Sequence, residues 1–480
     1  MSADYSTARS HTYESARYVK EGMTEEQKVL SADPVPRASA LRRVLGLRDL
    51  ILYGIVLIMP IAPLPLFGVA QKLSNGHAVT TILLAMVAMT CTAFSYGRMA
   101  ALYPAAGSAY TYVGEGLHPR LGFLAGWAMF LDYLLVPLIC TIYGALTVQR
   151  LVPQVPYWMW AFLFALMMTA VNLRGIRATA NVNLTLMVIM TGVVMVFIVL
   201  AVRFLFHAHG WSGLFSTKPF YDPATFRWPA IATATGVAAL TYGGFDGVST
   251  LAEEVKNPRR NVLLATVFVC LFTGVFGGLQ VYLGQQVQPD YHSFQNLETA
   301  FLDISADVGG WWLFQAMAGI LIIANIGAGL SAQAGVSRLL FGMGRDSVLP
   351  RRFFAYLSPA RGTPDLNICL VGVLAFVGAL ALNYEQSAEL INFGAFLAFM
   401  GVNAAVIRQY WFLEQPGKRD FFSALLVPGL GFLFCLTIWF SLPGTAKILG
   451  GLWFAAGLLY DGIKTKGFRA VPTFTDFRES

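Results

Sequence analysis

The chain has 480 residues, of which 56 % are apolar and only 12 % are charged. A soluble domain carries roughly 25 % charged residues, so the composition excludes an ordinary soluble protein and points to a membrane. The net charge of +7 invites a nucleic-acid reading, which the placement of the basic residues removes.

Residues 1–46 are polar and mixed in charge, with no apolar h-region. They read as a cytoplasmic tail, not a signal peptide. Beyond them, apolar stretches recur at about the length that crosses a hydrocarbon core as helix. Twelve spans are predicted: 48–70, 79–102, 121–149, 157–173, 182–206, 229–252, 261–284, 309–343, 366–383, 388–411, 421–441 and 446–463. The eighth is too long for a simple crossing and is expected to tilt or extend into water. Neither heptads nor alternating strands organise these stretches, which excludes a coiled coil and an outer-membrane barrel. A short polar tail, 464–480, closes the chain.

With both ends inside, the inner segments hold 27 of the 33 Lys and Arg residues, and the outer loops hold Lys72, Arg150, Arg203, Lys218, Arg227 and Lys447. This bias places both termini in the cytoplasm of a multi-pass cell (inner/plasma) membrane protein. The basic excess is topogenic, so no nucleic-acid partner is expected, and lipid is. The outer connection 207–228 carries Trp211, Tyr221 and Trp228, as a packed interfacial loop does. The other long one, 285–308, carries Asp290, Glu298, Asp303 and Asp307 without Lys or Arg. It reads either as a cation-attracting vestibule or as a solvated loop obeying topology.

Two spans cannot be regular. In the first, Y-G-I-V-L-I-M-P-I-A-P-L-P-L-F-G places Pro60, Pro63 and Pro65 near the middle. Each proline removes a backbone donor and crowds the preceding turn. The carbonyls freed there must face protein or water, never lipid. In the sixth, Gly243, Gly244 and Gly247 bracket Phe245 and Asp246, which permits unwound backbone around an acid that is costly in lipid. These spans open two possible five-helix halves, a first repeat at 47–206 and a second at 229–411, with 421–463 outside them. Paired breaks at matching positions point to an inverted repeat with a site at the midplane. Pro60, Ala62 and Pro63 join that site from the first break, and Asp246 and Phe245 from the second. The bland reading of Asp246 is a structural acid accepting backbone N–H bonds from its own turn. Tyr242 and Phe393 are aromatic gate candidates, and Asn392 either bonds across helices or touches substrate. Glu253, Glu254, Lys256, Arg259 and Arg260 at the inner end of the sixth span form either an inner gate paired with the 98–120 loop or a charged helix end. Cys91, Cys140, Cys270, Cys369 and Cys435 are scattered, and no metal site or nucleophile–base set stands out. An enzyme is therefore not expected, nor a cofactor.

Three segments carry a family resemblance: G-F-D-G-V-S-T-L-A-E-E-V-K-N-P-R-R-N at 244–261, Y-P-A-A-G-S-A-Y-T-Y at 103–112 and S-R-L-L-F-G-M-G-R-D-S-V-L-P at 337–350. The chain resembles amino acid–polyamine–organocation (APC) permeases over about 42–465. Within them it is most similar to bacterial putrescine importers, sharing S-Y-G-R at 95–98, L-D-Y at 131–133 and L-I-N-F-G-A at 390–395. The resemblance implies an all-α LeuT-like fold with a 5+5 inverted repeat, and secondary, proton-coupled transport with substrate between spans 1, 3, 6, 8 and 10. It places Asp132 and Tyr133 near the cavity, Tyr133 offering a ring face to an organic cation. Glu254 is embedded in the family motif, so it joins Asp246 as a coupling or gating candidate. Ser331 could supply a hydroxyl to a sodium ion, so sodium coupling stays open beside the proton.

The ligand is narrowed by what the first break lacks. Amino-acid members carry a glycine-rich turn there whose N–H groups bind an α-carboxylate. Here P-I-A-P-L-P lacks three donors, which favours an amine without a carboxylate, such as putrescine. Against this, Pro65 stands where the putrescine-importer pattern has an acid. An amino-acid permease or exchanger is the alternative, a non-transporting membrane receptor the remote one, and a homodimer is left open.

Overall fold

In the computed structural model the described residues are 43–104, 108–174, 180–345, 349–359, 361–413 and 419–465. The predicted tails therefore lie almost wholly outside them, as do 105–107 of the 103–112 motif. All elements among the described residues are helical, and Leu45 and Val255 form an isolated parallel bridge. Seven helices are long and apolar enough to cross a membrane, so the chain is a multi-pass membrane protein.

The first break is immediate. Helix α1 (Leu47–Ile58) stops, irregular turns follow, and α2 (Phe67–Leu73) resumes. Met59 closes α1 at φ 68, a conformation that side chains other than glycine rarely adopt. Then come α3 (Ala78–Leu102), α4 (Ser108–Gly116), α5 (Pro119–Leu151), α6 (Tyr157–Leu173) and α7 (Ala180–His209). The second break follows. Helix α8 (Trp228–Ala238) tightens into a 3₁₀ turn at Ala239–Tyr242, halts at Gly243 and Gly244, and continues as a ten-residue 3₁₀ helix, Phe245–Glu254. A 3₁₀ run that long is unusual and marks a segment held by its surroundings. The rest are α9 (Pro258–Val287), α10 (Ala300–Arg345), the short α11 (Arg351–Phe354), α12 (Asp365–Ala381), α13 (Tyr384–Ile407), α14 (Val427–Ser441) and α15 (Gly444–Lys464). The long helix α10 kinks at Gly310, φ 69, beside the exposed Trp311 and Trp312.

Buried amides tie the helices together, as apolar packing alone cannot in lipid. Gln333 of α10 donates to Thr169 Oγ1 of α6 at 2.9 Å and to the Ile368 carbonyl of α12 at 3.1 Å, and accepts from Asn172 at 2.9 Å. Asn403 of α13 donates to Thr92 Oγ1 at 3.1 Å and accepts from Ser95 Oγ at 2.6 Å, both on α3.

The helix ends define two faces. On the near face, Val44 and Leu45 donate to the Glu254 carbonyl at 2.9 and 3.0 Å. There too Arg408 caps the end of α4 through the carbonyls of Gly116 and Leu117, at 2.7 and 3.0 Å. On the far face the 207–228 loop is tied down by Thr80, which donates to the Phe220 carbonyl, and by His77 Nε2, which accepts from the Asp222 N–H.

Candidate substrate site at the two helix breaks

Glycine 244 makes the second break possible. Its φ is 105, and its Cα faces the backbone of Leu57 in α1. Only glycine adopts that backbone without strain. The turn presents Asp246, which is only 7 % exposed. The backbone N–H groups of Gly244, Asp246 and Gly247 lie near the Asp246 carboxylate, while Ser249 Oγ donates to its main-chain carbonyl at 2.6 Å. The arrangement resembles a helix N-cap, where N–H groups favour a negative charge. The structural role weighed for Asp246 is therefore present. It leaves the carboxyl oxygens able to meet a further donor.

Asp132 and Tyr133 of α5 lie within electrostatic reach of Asp246. Tyr133 is 41 % exposed although it sits mid-helix among other spans. Tyr53 and Leu57, one turn apart on α1, are exposed as well, and Gly243 is exposed at the break. Leu57 touches Gly244 and Gly247, and Tyr133 feels Tyr53. These exposed groups lie around the Asp246 turn.

Below the turn an aromatic cluster closes the floor. The Phe245 ring meets Tyr96 at 5.4 Å and Phe399 at 5.2 Å, and Tyr96 meets Tyr112 at 5.7 Å in an edge-on contact. Phe245 is fully buried, so it packs the turn. Toward the far face the first break is tightly packed. The Phe67 ring meets Phe294 at 5.9 Å and Phe301 at 5.4 Å, and Gly68 abuts the Leu297 carbonyl.

Several candidates are placed differently from the expectation. The Tyr242 ring is fully buried and its hydroxyl donates to the Ile82 carbonyl at 2.8 Å. Phe393 turns away onto Trp439 at 5.3 Å and against Gly450. Asn392 donates to the Gly236 carbonyl at 2.6 Å, so it braces α8. Pro60 and Pro63 face α9, lining a small crevice with Phe272, Thr273 and Phe276, while Ala62 is half-buried. Glu254 acts here through its backbone carbonyl; the salt bridges described among these residues, Arg150–Asp303 and Arg361–Asp365, do not include it. Ser331 is exposed, unlike a ligand of a dehydrated ion.

The Pro60 carbonyl reveals a residue the sequence reading missed. Gln280 of α9, fully buried, donates Nε2 to it at 3.0 Å. A lone amide in the apolar run G-G-L-Q-V-Y was the available signal. Gln280→Leu leaves that buried carbonyl unpaired, at a cost of about 1–3 kcal/mol. A lower melting temperature of the purified protein is the expected result, and an unchanged one would show that water or another donor takes its place.

The amino acid permease family model matches residues 50–457. The chain belongs to that family of the APC superfamily. Among its relatives, the low-affinity putrescine importer PlaP of Escherichia coli K12 is 36 % identical over 444 residues, covering 91 % of this chain and 97 % of that one. The methylthioribose transporter of Bacillus subtilis 168 is 27 % identical, over 88 % and 93 % of the two chains. The branched-chain amino acid permease BcaP of Lactococcus lactis is 25 % identical, over 87 % and 93 %. Membership of a permease family makes the chain a transporter, which points away from an enzyme.

Proposed function

We propose that this permease imports a small organic amine of the putrescine kind by proton symport. The observation that carries the reading is that two acids, Asp246 and Asp132, lie within electrostatic reach of each other beside the exposed Tyr133. An ammonium group can meet Asp246 while a second meets Asp132, and the Tyr133 ring face suits the organic cation. Each carboxylate can hold either a proton or an ammonium, so the pair supplies a place where coupling could occur. The first break supports an amine over an α-amino acid, because its prolines lack the N–H donors that would hold a carboxylate. The similarity to the importer from Escherichia coli points the same way.

The fold reading that goes with this function has twelve spans. To the seven long helices it adds the two broken ones, the seventeen-residue α6 and α12, and α15. Spans 1–5 and 6–10 form the inverted halves of a LeuT-like core, and the near face is cytoplasmic by the distribution of Lys and Arg. A homodimer is compatible with this fold, and lipid surrounds it.

Uptake of labelled putrescine into proteoliposomes, with and without an inward proton gradient, tests the function. Gradient-dependent accumulation is expected. The second reading, amino-acid exchange, draws on the branched-chain permeases among the relatives. Amino-acid counterflow without putrescine accumulation would replace the first reading by the second.

A further inference from the structure

One buried histidine lies outside the site described above. His77 stands just before α3, in the turn from α2, and is fully buried. Its two ring nitrogens have opposite partners. Nδ1 faces the Ser74 carbonyl at 2.9 Å, and Nε2 faces the Asp222 N–H at 3.0 Å. A carbonyl only accepts and a backbone N–H only donates. The ring therefore carries its proton on Nδ1 and keeps Nε2 bare, which is the neutral imidazole. The Phe226 ring meets it edge-on at 5.3 Å. Residues 221–226 thus cover a histidine whose bonds require it to be uncharged.

A proton on Nε2 would set two N–H groups against each other and leave a buried charge without an acceptor. The charged and titratable groups nearby do not relieve this. Asp222 turns its carboxylate to the Ala224 N–H at 3.0 Å. Arg227 donates to the Phe226 carbonyl at 3.1 Å, and Tyr221 packs on the Phe226 ring at 5.0 Å. Lys72 of α2 lies within electrostatic reach of Glu385. Tyr291 lies against Gly76, with the His292 ring beside it at 4.2 Å. From α9, the uncharged Gln285 donates to the Gly76 carbonyl. Among the described residues no charged side chain bonds to the His77 ring.

The two halves of the loop are held differently. Residues 214–220 hang on hydroxyl groups. The Tyr282 hydroxyl donates to the Leu214 carbonyl at 2.9 Å and accepts from the Ser216 N–H at 2.8 Å, and Thr80 holds the Phe220 carbonyl. Residues 221–226 are held by His77 through Asp222 and Phe226. They lead directly into α8, the first half of the second break.

We propose that His77 is a proton-binding site on the far face: neutral, it latches residues 221–226, and protonated, it releases them. An imidazole freed to water takes up a proton between about pH 5 and 8. The latched state excludes that proton, so by linkage acid shifts the balance toward release. In the orientation proposed above the proton comes from outside the cell. The latch holds whichever substrate the permease carries.

Hydrogen–deuterium exchange of the full-length permease in lipid nanodiscs tests this, with the proton as the only ligand varied. After correction for intrinsic exchange, residues 221–226 of the wild type are expected to exchange at least about fivefold faster at about pH 5.5 than at about pH 7.5. Residues 214–220 should not change. In His77→Gln the side-chain oxygen accepts the Asp222 N–H without titrating, so 221–226 should stay protected at both pH values. His77→Phe should leave them fast at both. Equal protection of the wild type at the two pH values would overturn the latch. The same acid-induced loss in His77→Gln would overturn it too, by assigning the proton to another group such as Asp222. The wild-type comparison needs no variant, so it decides even where a substitution fails to fold.

Discussion

Asp246→Asn is expected to abolish amine uptake while the protein still inserts and folds. The carboxylate sits in a nearly dry turn, with backbone N–H groups of that turn close by. Asparagine keeps the shape and one acceptor oxygen but removes the charge that meets an ammonium. Losing one partner of a desolvated, hydrogen-bonded charge pair costs about 2–5 kcal/mol, which is roughly 30- to 5000-fold in affinity. Uptake at low substrate should fall by at least that lower factor, measured in proteoliposomes against equal amounts of inserted protein. Wild-type uptake by this variant would show that Asp246 serves only its own turn.

The other large effect belongs to the packing at the far face. Gly68 lies where α2 crosses the segment before α10, and a Cβ there would run into the Leu297 carbonyl and, at 2.8 Å, into Ala300 Cβ. The obstacle is mostly backbone, which cannot rotate aside as a long side chain does. Gly68→Val should therefore push α2 and the Leu297 segment apart and keep the far face from closing. An alternating-access cycle needs that closure, so net uptake is expected to drop to background. Binding of amine should persist, and a cysteine introduced beside Phe67 should become reactive from the far face. Normal uptake with an unreactive cysteine would place the seal elsewhere.

The breaks were legible because their cause is local. Three prolines in six residues and three glycines around an acid disrupt a helix whatever surrounds them. The direction in which each side chain points was not legible, because it depends on which neighbour arrives. Tyr242 and Phe393 have the composition of gates, yet Ile82 and Trp439 claim them. Asn392 could bond a ligand or a helix, and it bonds the Gly236 carbonyl. Pro60 looked like a source of free carbonyl until Gln280, 220 residues later, reached it. The floor of Tyr96, Tyr112, Phe245 and Phe399 draws on four separate elements, so no single motif announces it.

The central claim is that the two breaks hold an organic cation, with Asp246 as its anionic partner. A structure of the permease determined with a bound diamine tests this most directly. The expected result is one ammonium at the Asp246 carboxylate, the chain along the Tyr133 ring and the second ammonium toward Asp132. A diamine absent from this site, with Asp246 engaged only by the N–H groups of its own turn, would contradict it.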